Sequence, residues 1–107
     1  MMTTSYWQSL ELLQAKLDAN TADFVYERQF DILYDDKEGK FRTEYKDKYK
    51  LRERTEYDTI CVNIVPAWSM SKLWEVVGKT AQFSFEESDS PEYIIERLIN
   101  LYKEYAN

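Results

Sequence analysis

Carboxylates are the only catalytic material this chain holds in quantity, and four of them, Glu86, Glu87, Asp89 and Glu92, fall within seven positions. Clustered oxygens of this kind gather hard divalent cations. The spacing nevertheless lacks the mid-loop glycine and the distal bidentate glutamate of a calcium loop, and it matches no glycosidase pair. Asp89 and Glu92 flank Ser90 and Pro91, where a starting helix favours negative charge through its dipole. Histidine is absent, which removes His-based acid-base catalysis, Ser-His and Cys-His nucleophiles, and nearly all zinc and non-haem iron sites. The single cysteine, Cys61, lies in an apolar run and reads as an inert buried thiol. Two glycines at separate turns, Gly39 and Gly78, make no phosphate-cradling loop. No enzyme, cofactor or metal is expected.

A binding site has stronger material. From Lys40 to Asp58 the chain alternates, with Phe41, Thr43, Tyr45, Asp47, Tyr49, Leu51, Glu53, Thr55 and Tyr57 on one parity and mostly charged residues on the other. A period of two predicts a pleated strand with one mostly buried face and one wet face. The wet face carries Arg42, Lys46, Lys48, Lys50, Arg52 and Arg54, the candidate partner-binding residues. Such a row neutralises phosphates, and Tyr45, Tyr49 or Tyr57 at an edge would stack on bases. Two facts oppose nucleic acid: the tyrosines take the opposite parity from the cations, and the formal net charge is −6. Lysines on a solvated strand also serve simply to guard an edge against pairing. Trp68, after Pro66 and Ala67, joins the partner-binding candidates as an interface anchor, with burial in the core as the competing reading.

The charge is unevenly spread. Lys37 to Arg54 holds eight basic and four acidic residues, leaving the rest of the chain strongly acidic. This asymmetry orients a partner or neutralises itself within the fold or between subunits. A protein partner or self-association is therefore the leading expectation, nucleic acid the alternative. At 107 residues, 44% of them hydrophobic and 16% aromatic, a single domain over 1–107 is expected to fold without staples. With one cysteine and no signal-like N-terminal segment, the cytoplasm is the expected compartment, and no apolar run is long enough to span a membrane.

The elements that must position these groups follow from periodicity. Thr4 to Asn20 reads as an amphipathic helix with Trp7, Leu10, Leu13 or Gln14, and Leu17 on its apolar stripe, widened by Tyr6 and Leu12. Ala22 to Tyr34 alternates, placing Phe24, Tyr26, Phe30, Ile32 and Tyr34 on one face with Arg28 as the intruder. Asp35 to Lys40 forms a turn with Gly39 at a positive φ, so the two strands make a hairpin. Because strands beyond about ten residues are uncommon, a bend is expected near Lys46 to Lys48 or in Glu53 to Glu56. Thr59 to Val65 reads as a central strand ended by Pro66. A short helix bearing Met70, Leu73, Trp74 and Val77 then ends at Gly78, and Thr80 to Phe85 supplies a further strand. Ser90, Pro91 and Glu92 start the final helix, about Pro91 to Tyr105, which buries Ile94 or Ile95, Leu98, Ile99, Tyr102 and Tyr105. The fold class is α+β: an antiparallel sheet of three to five strands with two to three helices mainly on one face.

The segment VPAWSMSKLWEVVG, followed by AQFSFEESDSPEYIIERLINLYKEY, resembles the C-terminal half of small uncharacterised proteins of phages and mobile elements of gut Bacteroidales. The likeness covers about the last 40 residues: a Pro-Ala-Trp-Ser turn, a short Leu-bearing helix, a strand and a helix begun by Ser-Pro. It implies a small accessory protein and carries over no catalytic residue.

Overall fold

Two long strands, β1 (Phe24–Asp35) and β2 (Lys40–Glu53), pair antiparallel from Phe24 opposite Glu53 to Asp35 opposite Lys40 in the computed structural model of the chain. It describes residues 2–78, 84, 86 and 88–106. At the turn, Asp35 Oδ1 accepts the Lys37 amide, the Gly39 amide bonds back to the Asp35 carbonyl, and Gly39 takes φ +65°. A third strand, β3 (Ile64–Ala67), pairs antiparallel with the first four residues of β1, giving the order β2-β1-β3. The architecture is α+β, as expected, with three antiparallel strands among the described residues and helices gathered at one end of the sheet.

The central strand is β1, and the reading of Thr59 to Val65 as central is overturned. The chain leaves β2 into a turn closed by the Asp58 amide on the Thr55 carbonyl, then reverses tightly between Cys61 and Ile64. The apolar run is thus spent on a turn, leaving Cys61 exposed and Val62 at 77% exposure. Pro66 lies inside β3 opposite Val25, a place its missing N–H permits because β3 is an edge strand.

Helix α1 (Tyr6–Gln14) begins with a capping box, in which Ser5 Oγ accepts the Gln8 amide and Gln8 Oε1 accepts the Ser5 amide. It ends six residues before the expected Asn20. Lys16 adopts φ 73°, the Leu17 amide reaches the Leu12 carbonyl and the Lys16 amide reaches that of Leu13. This is a Schellman stop built on lysine instead of glycine. A single 3₁₀ turn, Ala19–Thr21, is capped by Asp18. Trp7, expected on the apolar stripe, is 72% exposed.

The core is mostly helical. Leu12, Leu17, Ala22, Trp68, Leu73, Val77, Ile94, Ile95, Leu98 and Ile99 form one buried cluster, to which the long hairpin contributes nothing beyond its base. Helix α2 (Met70–Leu73), capped by Ser69 Oγ on the Lys72 amide, runs on as a π-turn, Trp74–Gly78. Helix α3 (Pro91–Ala106) starts where Ser90 Oγ accepts the Tyr93 amide. It buries Ile94, Ile95, Leu98 and Ile99, but Tyr105 near its end is 67% exposed instead of buried. Among the described residues no helix is long and apolar enough to cross a membrane. The strand expected over Thr80 to Phe85 lies, apart from Ser84, outside the described residues, as does Glu87 of the acidic loop.

The N-terminal segment is clipped beside the end of β3 by buried polar bonds. The Thr4 amide donates to the Trp68 carbonyl at 2.8 Å, and the Trp68 amide donates to Thr4 Oγ1, which also bonds Ser9 Oγ at 2.8 Å. The Tyr26 hydroxyl donates to the Thr4 carbonyl, and Ser69 bonds Asp23 through both its amide and its hydroxyl. Every member of this network has a partner, which is the condition for buried polar groups to be tolerated.

Candidate functional site

The distal half of the hairpin projects from this body as a two-stranded ribbon. The principal extents are 61 × 28 × 22 Å and the radius of gyration is 17.0 Å, against about 13 Å for a compact chain of this length. Register explains which side chains lie on which face. Between the pairs Arg28/Tyr49 and Phe30/Tyr45, β1 spends one residue, Gln29, while β2 spends three, Lys46 to Lys48. The bend thus falls at one of the two places strand length required. Because the excess is two residues, the alternation survives the bulge. Arg28 fits into it, with Nε donating to the Lys46 carbonyl at 2.7 Å and the guanidinium 5.6 Å from the Tyr45 ring centroid.

One face of the ribbon therefore carries three rows of paired side chains beyond the bulge: Phe30/Tyr45, Ile32/Thr43 and Tyr34/Phe41. The rings meet across the strands, Phe30 and Tyr45 edge-on at 5.7 Å and Tyr34 and Phe41 tilted at 4.9 Å. Nearer the body the same face is covered by α1, where Tyr6 stacks on Tyr49 at 4.4 Å and meets Tyr26 edge-on at 6.0 Å. The cover stops there for a reason of length. Nine helical residues reach about 13 Å, whereas the twelve of β1 extend about 40 Å. The distal rows are left bare: Phe30 and Tyr45 are each 45% exposed, Tyr34 55%, Ile32 64% and Phe41 73%. The expectation that this parity is buried holds only at the base. Tyr6 has its phenol pKa raised, first by its hydrogen bond with Tyr49 and then by burial, and burial likewise raises that of Tyr26.

The six basic candidates do not form a free phosphate ladder. Arg52 is held by Glu27 and by Asp58, with Nη2 at 2.6 Å from each carboxylate. Asp58 also accepts the Thr55 amide, and its carboxyl is held well below the usual carboxylate range, chiefly by Arg52 and then by that amide. The Arg52 guanidinium is correspondingly raised, by Asp58 first and Glu27 second. Arg54, past the end of β2, donates to the carbonyls of Ala19 and Ala22 and so ties the 3₁₀ turn to the sheet. Lys46 pairs with Asp31 at 3.2 Å, Arg42 lies 3.9 Å from Glu44, and Lys50 sits opposite Glu27 in the ladder. Lys48 is exposed within the bulge. Over Phe24 to Glu53 eight basic residues meet eight acidic ones. The basic excess seen along β2 is thus balanced by the acids of β1 and the turn.

Trp68, the remaining candidate, is corrected. It is fully buried, and its indole Nε1–H donates to Thr21 Oγ1 at 3.0 Å, so it offers no surface to a partner. No family model matches this chain, and no curated protein and no solved structure matches it.

Enclosed space is scarce near the ribbon. A shallow groove of about 180 Å³ runs between the Cys61–Ile64 turn and the ribbon, lined by Glu27, Arg28, Phe30, Tyr45 and Cys61, with the buried Asn63 Oδ1 lacking a hydrogen-bond partner beside it. A wider, open hollow at the tip is lined by Leu33, Tyr34, Asp36 and Arg42. In the acidic loop, Asp89 Oδ2 accepts the Glu86 amide, a turn-forming bond. Among the described residues no group of three acidic or cysteine side chains is placed to hold a metal.

The distal ring face was invisible as a site because its alternation is the ordinary signature of a half-buried strand. The one signal available was length. A hairpin with strands of twelve and fourteen residues outruns a helix layer drawn from a chain of 107.

Proposed function

We propose that this chain is a non-enzymatic binding protein that docks a protein partner on the distal face of its β1–β2 ribbon, in an accessory role such as the resemblance of its last 40 residues implies. The observation that carries this reading is the bare ring face. Five apolar side chains, Phe30, Ile32, Tyr34, Phe41 and Tyr45, stand together in the open. From the area of such side chains they expose on the order of 500 Å², at the upper end of the largest patches that monomers leave in water. Aromatic residues held rigid by cross-strand pairing make efficient interface cores, because little side-chain freedom remains to be lost on binding.

Nucleic acid is the weaker reading. Phosphate binding draws on unpaired cations, and here Arg52 is paired with Glu27 and Asp58, Lys46 with Asp31, and Lys50 lies opposite Glu27 in the ladder.

Two titrations test the proposal. Short single- and double-stranded DNA and RNA at low salt should give no mobility shift. Capture of proteins on immobilised wild-type chain should persist at high salt and be lost with Ile32→Lys plus Phe41→Lys. A salt-sensitive shift abolished by changing Lys46, Lys48 and Lys50 to Glu would reverse the order of the two readings.

A further inference from the structure

The docking face has a composition that narrows its occupant. No charged residue belongs to its three rows, where Thr43 is the one residue that is neither aromatic nor aliphatic, and the Arg28 guanidinium reaches the face only at its bulge end, over the Tyr45 ring. A partner surface must therefore be uncharged, apolar and of similar extent. We infer, resting on the docking reading above, that the occupant is a second copy of this chain, its own ring face packed against the first about a two-fold axis near the Ile32/Thr43 row.

Such a contact is isologous: the Phe30/Tyr45 row of one ribbon lies over the Tyr34/Phe41 row of the other, two apolar sheet faces about 10 Å apart. The area is adequate for it. About 500 Å² of apolar side chain per copy supplies the centre of a standard interface that covers about 800 Å² per partner, with the tyrosine hydroxyls at the rim.

Electrostatics favours this geometry over other self-contacts. The ribbon is neutral over Phe24 to Glu53, so the whole net charge of −6 resides in the helical body. Body-to-body association would bring like charge together. Ribbon-to-ribbon association at the distal rows keeps the bodies at opposite ends of a particle built from molecules 61 Å long. That separation exceeds the screening length of about 8 Å at physiological salt. The free edge of β2 carries Lys40, Lys46, Lys48 and Lys50, which discourages edge-to-edge strand pairing. The face, not the edge, is left for self-recognition.

Sedimentation velocity of the full chain across a wide concentration range tests the inference, beside the variant with Ile32→Lys and Phe41→Lys and with binding of an apolar fluorescent dye as a second readout. The expected result is a dimer for the wild type and at least a 100-fold weaker association for the variant, the scale of loss when charges enter the centre of an apolar interface. A wild-type dimer equally strong in the variant overturns the inference, because the contact then lies elsewhere. A wild-type monomer whose ring face binds dye that the variant does not bind overturns self-association and leaves the docking face standing for another protein. A monomer with no dye binding in either form overturns both.

Discussion

Tyr6 lies stacked on Tyr49 at 4.4 Å and 28° between ring planes, which joins the first turn of α1 to the second strand of the hairpin across 43 residues of sequence. Among the described residues it is the last ring contact between the helical body and the ribbon's aromatic face, and it sets where the covered part of that face ends. Replacing Tyr6 by Ala removes the stacked pair, the edge contact with Tyr26 and part of the cover. The expected cost is about 1–2 kcal/mol, from ring pairs worth roughly 0.5–1.5 kcal/mol beyond area burial. Chemical denaturation should show it, and the amide protons of Tyr26 to Arg28 should exchange faster than in the wild type.

The distal rows behave differently. Ile32 and Phe41 are mostly exposed, so Ile32→Lys is expected to change the stability of the monomer by no more than about 0.5 kcal/mol, as for ordinary surface substitutions. Leu98→Ala in α3, fully buried in the core cluster, should cost about 2–5 kcal/mol. Parallel thermal melts at low protein concentration compare the two. A large loss on Ile32→Lys at that concentration would mean that the ring face is covered in the monomer.

Much of the architecture was legible because several local signals agreed. Ser90, Pro91 and Glu92 mark the start of α3 in composition and geometry alike, and Gly39 sits at the positive φ its turn requires. What failed did so where a tertiary bond replaced a sequence signal. Lys16 ends α1 without a glycine, so the apolar period seemed to run on to Leu17, which is buried but lies beyond the helix. The run from Thr59 to Val65 looked like a central strand because nothing in its composition shows the Asp58 turn that redirects it. The row of cations was legible by parity, but its acidic partners were not: Glu27 and Asp31 lie across the hairpin on β1, at a register that the bulge shifts by two, and Asp58 lies in the turn beyond β2.

The lysine stop makes its own prediction. Holding a residue with a β-carbon at φ 73° costs roughly 1–2 kcal/mol relative to ordinary backbone, and glycine avoids that cost while losing more freedom on folding. Lys16→Gly is therefore expected to stabilise the protein by about 0.5–1 kcal/mol, read as a higher denaturant midpoint at unchanged slope. Lys16→Val, β-branched and poorly suited to this region, should lower the midpoint.

Gly78 serves close packing. Its φ is not in the left-handed region, but a β-carbon there would overlap the Trp74 indole within the same π-turn. Gly78→Ala must displace that ring, at an expected cost of about 1–3 kcal/mol as for other overpacked sites. Trp74→Leu in the Gly78→Ala background should recover part of the loss, and a double-mutant cycle measures how much.

Asp58 gives the chain an acid-sensitive clamp. Its carboxylate accepts both terminal nitrogens of Arg52, at 2.8 and 2.6 Å, and the Thr55 amide at 2.8 Å. These bonds favour the ionised form, so its folded pKa lies below the unfolded value of about 3.9. The stabilisation is complete above that unfolded value. As pH falls below it the unfolded chain takes up the proton first, and the contribution drains away until the folded pKa is reached. At neutral pH Asp58→Asn should cost about 1–2 kcal/mol, a value held down because Arg52 is a third exposed and screened by solvent. Melting wild type and Asp58→Asn side by side from about pH 7 down to about pH 2 should show the gap constant to about pH 5 and closing below it. A gap that stays constant throughout would mean that Arg52 and Asp58 do not hold the turn through charge.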